Sequence, residues 1–303
     1  MSDISPWSTK QIPDLSRKVA IVTGANTGLG FEIAKKLSEH GAHVILACRN
    51  LEKGKRSLLK LQQSSKGRNV SLIQLDLSDL LSIEHFIQQF EKLSTNLDIL
   101  INNAGIMETP EGKTKQGFEL QFGVNHLGHF ALTGMLLPYF ANNNGARIVT
   151  VSSLAALNAK FDLTNLKSEE GYDKNSSYRL SKLANLLFSI ELNNFFKRHN
   201  IQSVSIAAHP GYARTKLQRH VKGLLRTTHS IYTKYRYAES AAIGALPILR
   251  AATDISIKGG CLIGPGNVKY IQSITDLPKD LIKSEYQRSL WDTSEKLTNV
   301  RFN

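Results

Sequence analysis

Residues 19–30 read Val19-Ala-Ile-Val-Thr-Gly-Ala-Asn-Thr-Gly-Leu-Gly30, and Phe31 opens a helical pattern that runs to His40 before Gly41 stops it. The first five residues are largely β-branched and apolar, as in a strand covered on both faces. Gly24, Gly28 and Gly30 then crowd the turn between strand and helix. A helix N-terminus carries unpaired N–H groups and a partial positive charge. A turn stripped of Cβ atoms lets a phosphate approach them closely. The spacing here is Gly-x-x-x-Gly-x-Gly rather than Gly-x-Gly-x-x-Gly.

The alternation continues outward from this unit. Strand patterns fall at 42–48, 70–75, 97–101, 146–151, 201–207 and 260–263. Helical patterns fall at 52–63, 79–93, 117–140, 177–199 and 237–252, the third and fourth of these being long. Apolar strands separated by helices predict a parallel sheet covered on both faces. With right-handed connections this is a doubly wound α/β fold of three layers, αβα. No long Pro/Gly/Ser linker and no internal repeat divides the chain. We expect one domain at 17–264, an N-terminal extension at 1–16, and a C-terminal segment of the same domain at 265–303 with a helix near 284–297.

The 303 residues can bury one substantial core, and 41% of them are hydrophobic, which excludes a disordered chain. Cys48 and Cys261 are too few for a disulfide framework and lack metal-ligand spacing. The first seven residues contain no basic region followed by an apolar stretch, so no secretory signal is read there. No apolar run reaches the roughly 18 residues needed to cross a bilayer. A cytoplasmic location is expected. The net charge of +13 raises nucleic acid as a partner, but the charges are dispersed and no nucleic-acid motif accompanies them. No nucleic-acid partner is expected. His126, His129, His209, His220 and His229 lack the acidic or Cys neighbours of a metal site, so no metal is expected either.

Tyr178-Arg-Leu-Ser-Lys182 places a phenol and an ammonium four residues apart on one helix face. A free phenol, with a pKa of about 10, is mostly protonated at neutral pH, and a nearby ammonium lowers that value. Hydride transfer to a carbonyl leaves an alkoxide that needs a proton, and this pair can manage one. Joined to the glycine turn, the pair predicts a nicotinamide-dependent oxidoreductase. Binders of NAD usually end the second strand with an acidic residue for the ribose 2′-hydroxyl. Arg49 stands there instead. A guanidinium pairs with a 2′-phosphate, so NADP is the expected cofactor. Thr27, where a second basic residue would strengthen that preference, leaves NAD open.

These motifs resemble the short-chain dehydrogenase/reductase family, over about 18–264, and within it the branch of the retinol dehydrogenases and the WW-domain oxidoreductase. The resemblance rests on the turn at 23–30, Asp76-Leu77, Asn102-Asn-Ala-Gly105, the Tyr178/Lys182 pair and Pro210-Gly211 with Thr215 beyond. Ala47-Cys-Arg-Asn50, Asn125-His-Leu-Gly-His-Phe130 and His209-Pro-Gly211 carry the likeness to the branch. It implies a catalytic set of Ser153, Tyr178, Lys182 and Asn125: carbonyl polariser, acid/base, activator with a ribose contact, and water anchor. It implies cofactor contacts at Gly24, Asn26, Thr27, Gly28, Leu29, Gly30, Arg49, Asp76, Leu77, Asn102, Ala104, Gly105, Tyr178, Lys182, Pro210, Gly211 and Thr215. Ser153 and Tyr178 are 25 positions apart, which marks an insertion at 156–174.

The expected partner is a small, apolar carbonyl or alcohol substrate. A catalytically inactive nucleotide-binding sensor or scaffold, and a membrane-peripheral retinoid or lipid reductase, are the alternatives. Residues 211–238 carry seven Lys or Arg and no Asp or Glu. Leu217, Val221, Leu224 and Leu225 form one apolar face there, with Arg219, Lys222 and Arg226 toward the other. A substrate lid at about 212–236 is the favoured reading and a peripheral membrane contact the rival. Monomer and homo-oligomer both stay open.

Overall fold

The computed structural model describes residues 7–63, 69–141, 145–211, 240–266 and 272–302. Eight strands form one sheet: β1 Val19–Thr23, β2 His43–Cys48, β3 Val70–Gln74, β4 Ile99–Asn102, β5 Arg147–Val151, β6 Val204–Ala208, β7 Leu262–Pro265 and β8 Gln272–Ile274. Their order is β3-β2-β1-β4-β5-β6-β7-β8. The first seven run parallel; β8, which the sequence did not announce, pairs antiparallel with β7. The order reverses between β1 and β4, and the crevice beyond the carboxyl ends of those strands is where such sheets take ligands.

Each strand feeds residues alternately to two cores. Ala20, Val22, Val44, Leu46, Ile99, Ile101 and Val149 face one, and Ile21, Ile45, Ala47, Leu100 and Ile148 face the other. Both faces being covered explains why the strands read as unbroken apolar runs. Helices α1 Gly28–Glu39, α2 Leu51–Gln63 and α3 Leu80–Glu91 follow β1, β2 and β3. The first core also takes in Trp7, Ile12 and Leu15, all buried.

The stretch read as one helix over 117–140 is broken into pieces. A short α4, Leu120–Phe122, passes into a π turn at Gly123–Leu127, then α5 Gly128–Met135 and α6 Leu137–Ala141. A π turn inserts one residue into the helix and is common at functional sites. Helical periodicity cannot register it, because the apolar spacing is nearly unchanged. Beyond β5 a 3-10 turn spans Leu154–Asn158, and α7 runs from Lys174 to Arg198. Two shorter helices, α8 Ala241–Gly244 and α9 Leu246–Thr253, precede β7. No described helix is long and apolar enough to cross a membrane.

The C-terminal helix α10, Ser284–Thr298, and the residues after it seal α5 and α7. The Phe302 ring lies 4.5 Å from Trp291, 5.0 Å from Phe130 and 5.8 Å from Phe195, centroid to centroid. The insertion at 156–174 docks on the same helix, with Phe161 stacked on Tyr286 at 4.3 Å. Truncating a buried Phe costs about 3–5 kcal/mol. Phe302→Ala is therefore expected to lower the unfolding free energy by about that amount in urea titrations. A loss below about 1 kcal/mol would show that the tail does not help to hold α5 and α7.

Candidate active site

The turn after β1 is built from two constraints on glycine. Gly24 has φ +67°, and a Cβ there would lie 3.0 Å from the Ala104 Cα. A Cβ on Gly30 would meet the Gly24 carbonyl oxygen at 2.5 Å and the Asn103 amide at 2.6 Å. Asn103 Nδ2 donates to the Thr23 carbonyl at 2.8 Å and so clips the turn to the end of β4. Thr27 caps α1 without a side-chain hydrogen bond. The N–H groups of the first helical turn are left to whatever lies in front of it.

What lies in front is a cleft of about 880 Å³. Sixteen of the residues predicted for the site stand on its wall: Gly24, Asn26, Thr27, Gly28, Leu29, Gly30, Arg49, Asp76, Leu77, Ala104, Gly105, Ser153, Tyr178, Lys182, Pro210 and Gly211. Thr215 and the lid predicted at 212–236 lie outside the described residues. Asn102 and Asn125 are not on the described wall. Asn102 is buried, with its Nδ2 donating to Thr133 at 3.0 Å and Thr150 at 3.5 Å, so it ties β4 to α5 and β5. Asn125 is fully buried in the π turn. Its Oδ1 accepts from the Ile106 N–H at 2.8 Å, and its Nδ2 donates to the Ile106 carbonyl and the Ser181 hydroxyl, both at 2.9 Å.

Arg49 is not alone at its end of the cleft. Lys53, Arg56 and Lys60 from α2 line the same wall. They recur at i, i+3 and i+7, which puts them on one helix face. The spacing was visible in the sequence. It became meaningful only once α2 was placed beside β2. Four cations at one end of a cleft whose middle is a helix N-terminus suit a polyanionic ligand. The residues present therefore fit a phosphorylated dinucleotide: the turn leaves room, α1 leaves donors, and α2 supplies charge.

At the other end the side chains are set by α7 and β5. Asp173 caps α7 by accepting from Ser176 N at 2.7 Å. One turn in, Tyr178 is buried. Lys182 is 3% exposed, and its Nζ sits 5.9 Å from the Tyr178 ring centroid. The ammonium donates to the Val151 carbonyl at 3.1 Å. Ser152 and Ser153 both border the cleft; the Ser152 hydroxyl donates to the Lys182 carbonyl at 2.7 Å, and the Ser153 hydroxyl accepts from the Ala155 N–H at 3.2 Å. Gly105 closes the set: a Cβ there would be 3.2 Å from Asn125 Oδ1 and 3.5 Å from Lys182 Nζ.

Burial controls the electrostatics. It pushes the Lys182 ammonium down to about 8. It pushes the Tyr178 phenol up to about 12, against the hydrogen bond from Ser153 and with the Glu108 carboxylate adding to the rise. The reading of the sequence, in which the ammonium draws the phenol down, does not describe this state. Desolvation of the phenolate is the largest cause of the shift. Among the described residues no group of three or more His, Cys, Asp or Glu gathers as metal ligands would.

A buried ammonium destabilises the fold that holds it. Lys182→Met would remove that cost, and the Val151 carbonyl would keep its bond from Asn185 Nδ2 at 3.1 Å. A gain of ~1–3 kcal/mol at pH 7 is expected, read as a melting temperature a few degrees higher. Because the folded-state pKa lies below that of a free lysine, the unfolded chain binds the extra proton between about pH 8 and 10.5. Wild-type stability thus rises across that window, and the advantage of the variant shrinks there. Melting curves from pH 6 to 10.5 check this; a destabilised variant at pH 7 would contradict it.

Comparison with known proteins converges on one family. A family model described as short chain dehydrogenase matches residues 18–223. Human retinol dehydrogenase 11 is 45% identical over 213 residues, covering 70% of this chain and 65% of that protein's own length. Mouse retinol dehydrogenase 14 is 35% identical over 294 residues, 93% of this chain and 86% of that one. The crystal structure of an uncharacterised protein from Mycobacterium paratuberculosis aligns with a TM-score of 0.82 at 33% identity, over 99% of this chain and 100% of that one. The chain belongs to the short-chain dehydrogenase family, in the branch that contains the retinol dehydrogenases.

Proposed function

We propose that this chain is an oxidoreductase that passes hydride between NADP(H) and the carbonyl or alcohol carbon of a small substrate. The observation that carries the reading is the meeting, in one cleft, of an uncapped helix N-terminus with a cationic end and a buried Tyr/Lys pair. Gly24, Gly28 and Gly30 with the first turn of α1 would hold the pyrophosphate. Asp76 and Leu77 would flank the adenine. Arg49, helped by Lys53 and Arg56, would pair with the 2′-phosphate. Lys182 would reach the nicotinamide ribose, and Pro210 and Gly211, with Thr215, the nicotinamide amide. When bound, the nicotinamide supplies or accepts the hydride.

The chain's own groups manage the proton. A phenol held near 12 is a protonated donor at neutral pH, suited to the oxygen of a carbonyl being reduced. The Ser153 hydroxyl polarises that carbonyl. The Lys182 ammonium favours the phenolate left behind, and Asn125 holds the segment through which a proton returns. Ile106, Met107, Leu154 and Ala155 offer apolar wall beside Tyr178, which supports a substrate with an apolar body. The names of the relatives make retinol-type alcohols and aldehydes the first substrates to test.

Tyr178→Phe deletes one hydroxyl, and kcat should fall by ~10²–10⁴-fold while NADPH affinity stays within a few-fold. Near-wild-type turnover would exclude the mechanism. Arg49→Asp turns an attraction into a repulsion at the 2′-phosphate. NADPH should weaken by about 10–100-fold, with NADH little affected. Fluorescence titration with both nucleotides decides it, and an equal loss for the two would remove Arg49 from cofactor choice.

A further inference from the structure

His129 has no role in the site as read so far, yet its ring is 1% exposed and bonded at both nitrogens. Nδ1 lies 2.9 Å from the Asn125 carbonyl, and Nε2 lies 2.9 Å from the Thr23 hydroxyl. A carbonyl only accepts, so Nδ1 carries the hydrogen and Nε2 is a bare acceptor. Thr23 Oγ1 accepts from Asn103 N and Ala104 N, both at 2.9 Å. Its single hydrogen goes to His129, since the competing Ile101 carbonyl is farther, at 3.3 Å. Every bond in the chain from Asn103 and Ala104 through Thr23 and His129 to Asn125 then has one polarity. Burial, which holds the imidazole down at about 4, keeps it neutral as this arrangement requires.

The groups joined in this way belong to separate parts of the site. Thr23 ends β1 and opens the glycine turn. Asn103 and Ala104 follow β4, and Ala104 packs against Gly24. Asn125 sits in the π turn, where Gly105 separates its Oδ1 from the Lys182 ammonium. We propose that His129 is a positioning residue that fixes Asn125 and, with it, the surroundings of Lys182 relative to the turn expected to bind the dinucleotide. The proposal rests on the functional reading above.

Two measurements test it, one of them independent of turnover. In nucleotide-free protein at pH 7, the ¹⁵N shifts of the His129 ring should show a neutral Nδ1–H tautomer; an Nε2–H tautomer or an imidazolium would overturn the proposal. In steady-state kinetics with NADPH and an aldehyde, His129→Leu should lower kcat by 10–100-fold with the aldehyde KM within threefold. His129→Gln, whose amide can donate and accept, should restore at least a third of the wild-type kcat. Thr23→Val cuts the same chain without touching His129, and adding His129→Leu to it should cost less than threefold more. A His129→Leu kcat within twofold of wild type, or losses that multiply fully in the double variant, would overturn the proposal. If His129→Leu does not fold, Thr23→Val alone must show the kcat loss. A wild-type protein that turns over no carbonyl or alcohol would overturn the functional reading instead, with the tautomer still deciding the hydrogen-bond chain.

Discussion

The Lys182 ammonium is held in the interior by one carbonyl, that of Val151, and the arrangement around it follows from keeping it there. A buried cation is expensive unless something anionic or strongly dipolar answers it. The described residues answer with neutral groups: the Val151 carbonyl, the Asn125 side chain across Gly105, and the Tyr178 ring. That leaves an ammonium with a depressed pKa beside a phenol with a raised one. The pair is short of negative charge. The cationic end of the same cleft suits a polyanionic ligand, which supports the nucleotide cofactor proposed above.

The fold's contribution is convergence. β1 and β4 part at the point where the strand order reverses, and the glycine turn and the segment after β4 rise from those two strands. β5 brings Ser153 and the Val151 carbonyl, and α7 lays Tyr178 and Lys182 across them. Because α7 also packs against α10, the aromatic cluster around Phe302 bears indirectly on the position of Tyr178 and Lys182.

Much of this was legible in the residues. Apolar, largely β-branched runs marked all seven parallel strands to within a few positions, because strands covered on both faces carry few polar residues to blur the pattern. The glycine spacing and the Tyr178/Lys182 interval marked the middle and one end of the cleft, since each is a local geometric demand. What could not be read depends on packing across the fold. The π turn at Gly123–Leu127 is an insertion of one residue that periodicity does not register. The α2 cations gained a meaning only from their place beside Arg49. His129 was read from the sequence only as lacking the neighbours of a metal ligand, because Thr23, its hydrogen-bond partner, lies 106 residues away in the chain. Asn102 carries a family motif, yet its side chain serves the sheet. The direction of the Tyr178 shift depends on how deeply the ring is buried, which the sequence does not state.

The central claim is that Lys182 is a buried cation whose charge the proposed cofactor would stabilise, and its titration tests that claim most directly. With the lysines labelled at Cε, the Lys182 resonance can be followed by NMR from pH 6 to 11 with and without NADPH. The account predicts a midpoint near 8 in the free protein and a clear upward shift once NADPH is bound. A midpoint already near that of a free lysine, unmoved by NADPH, would contradict it.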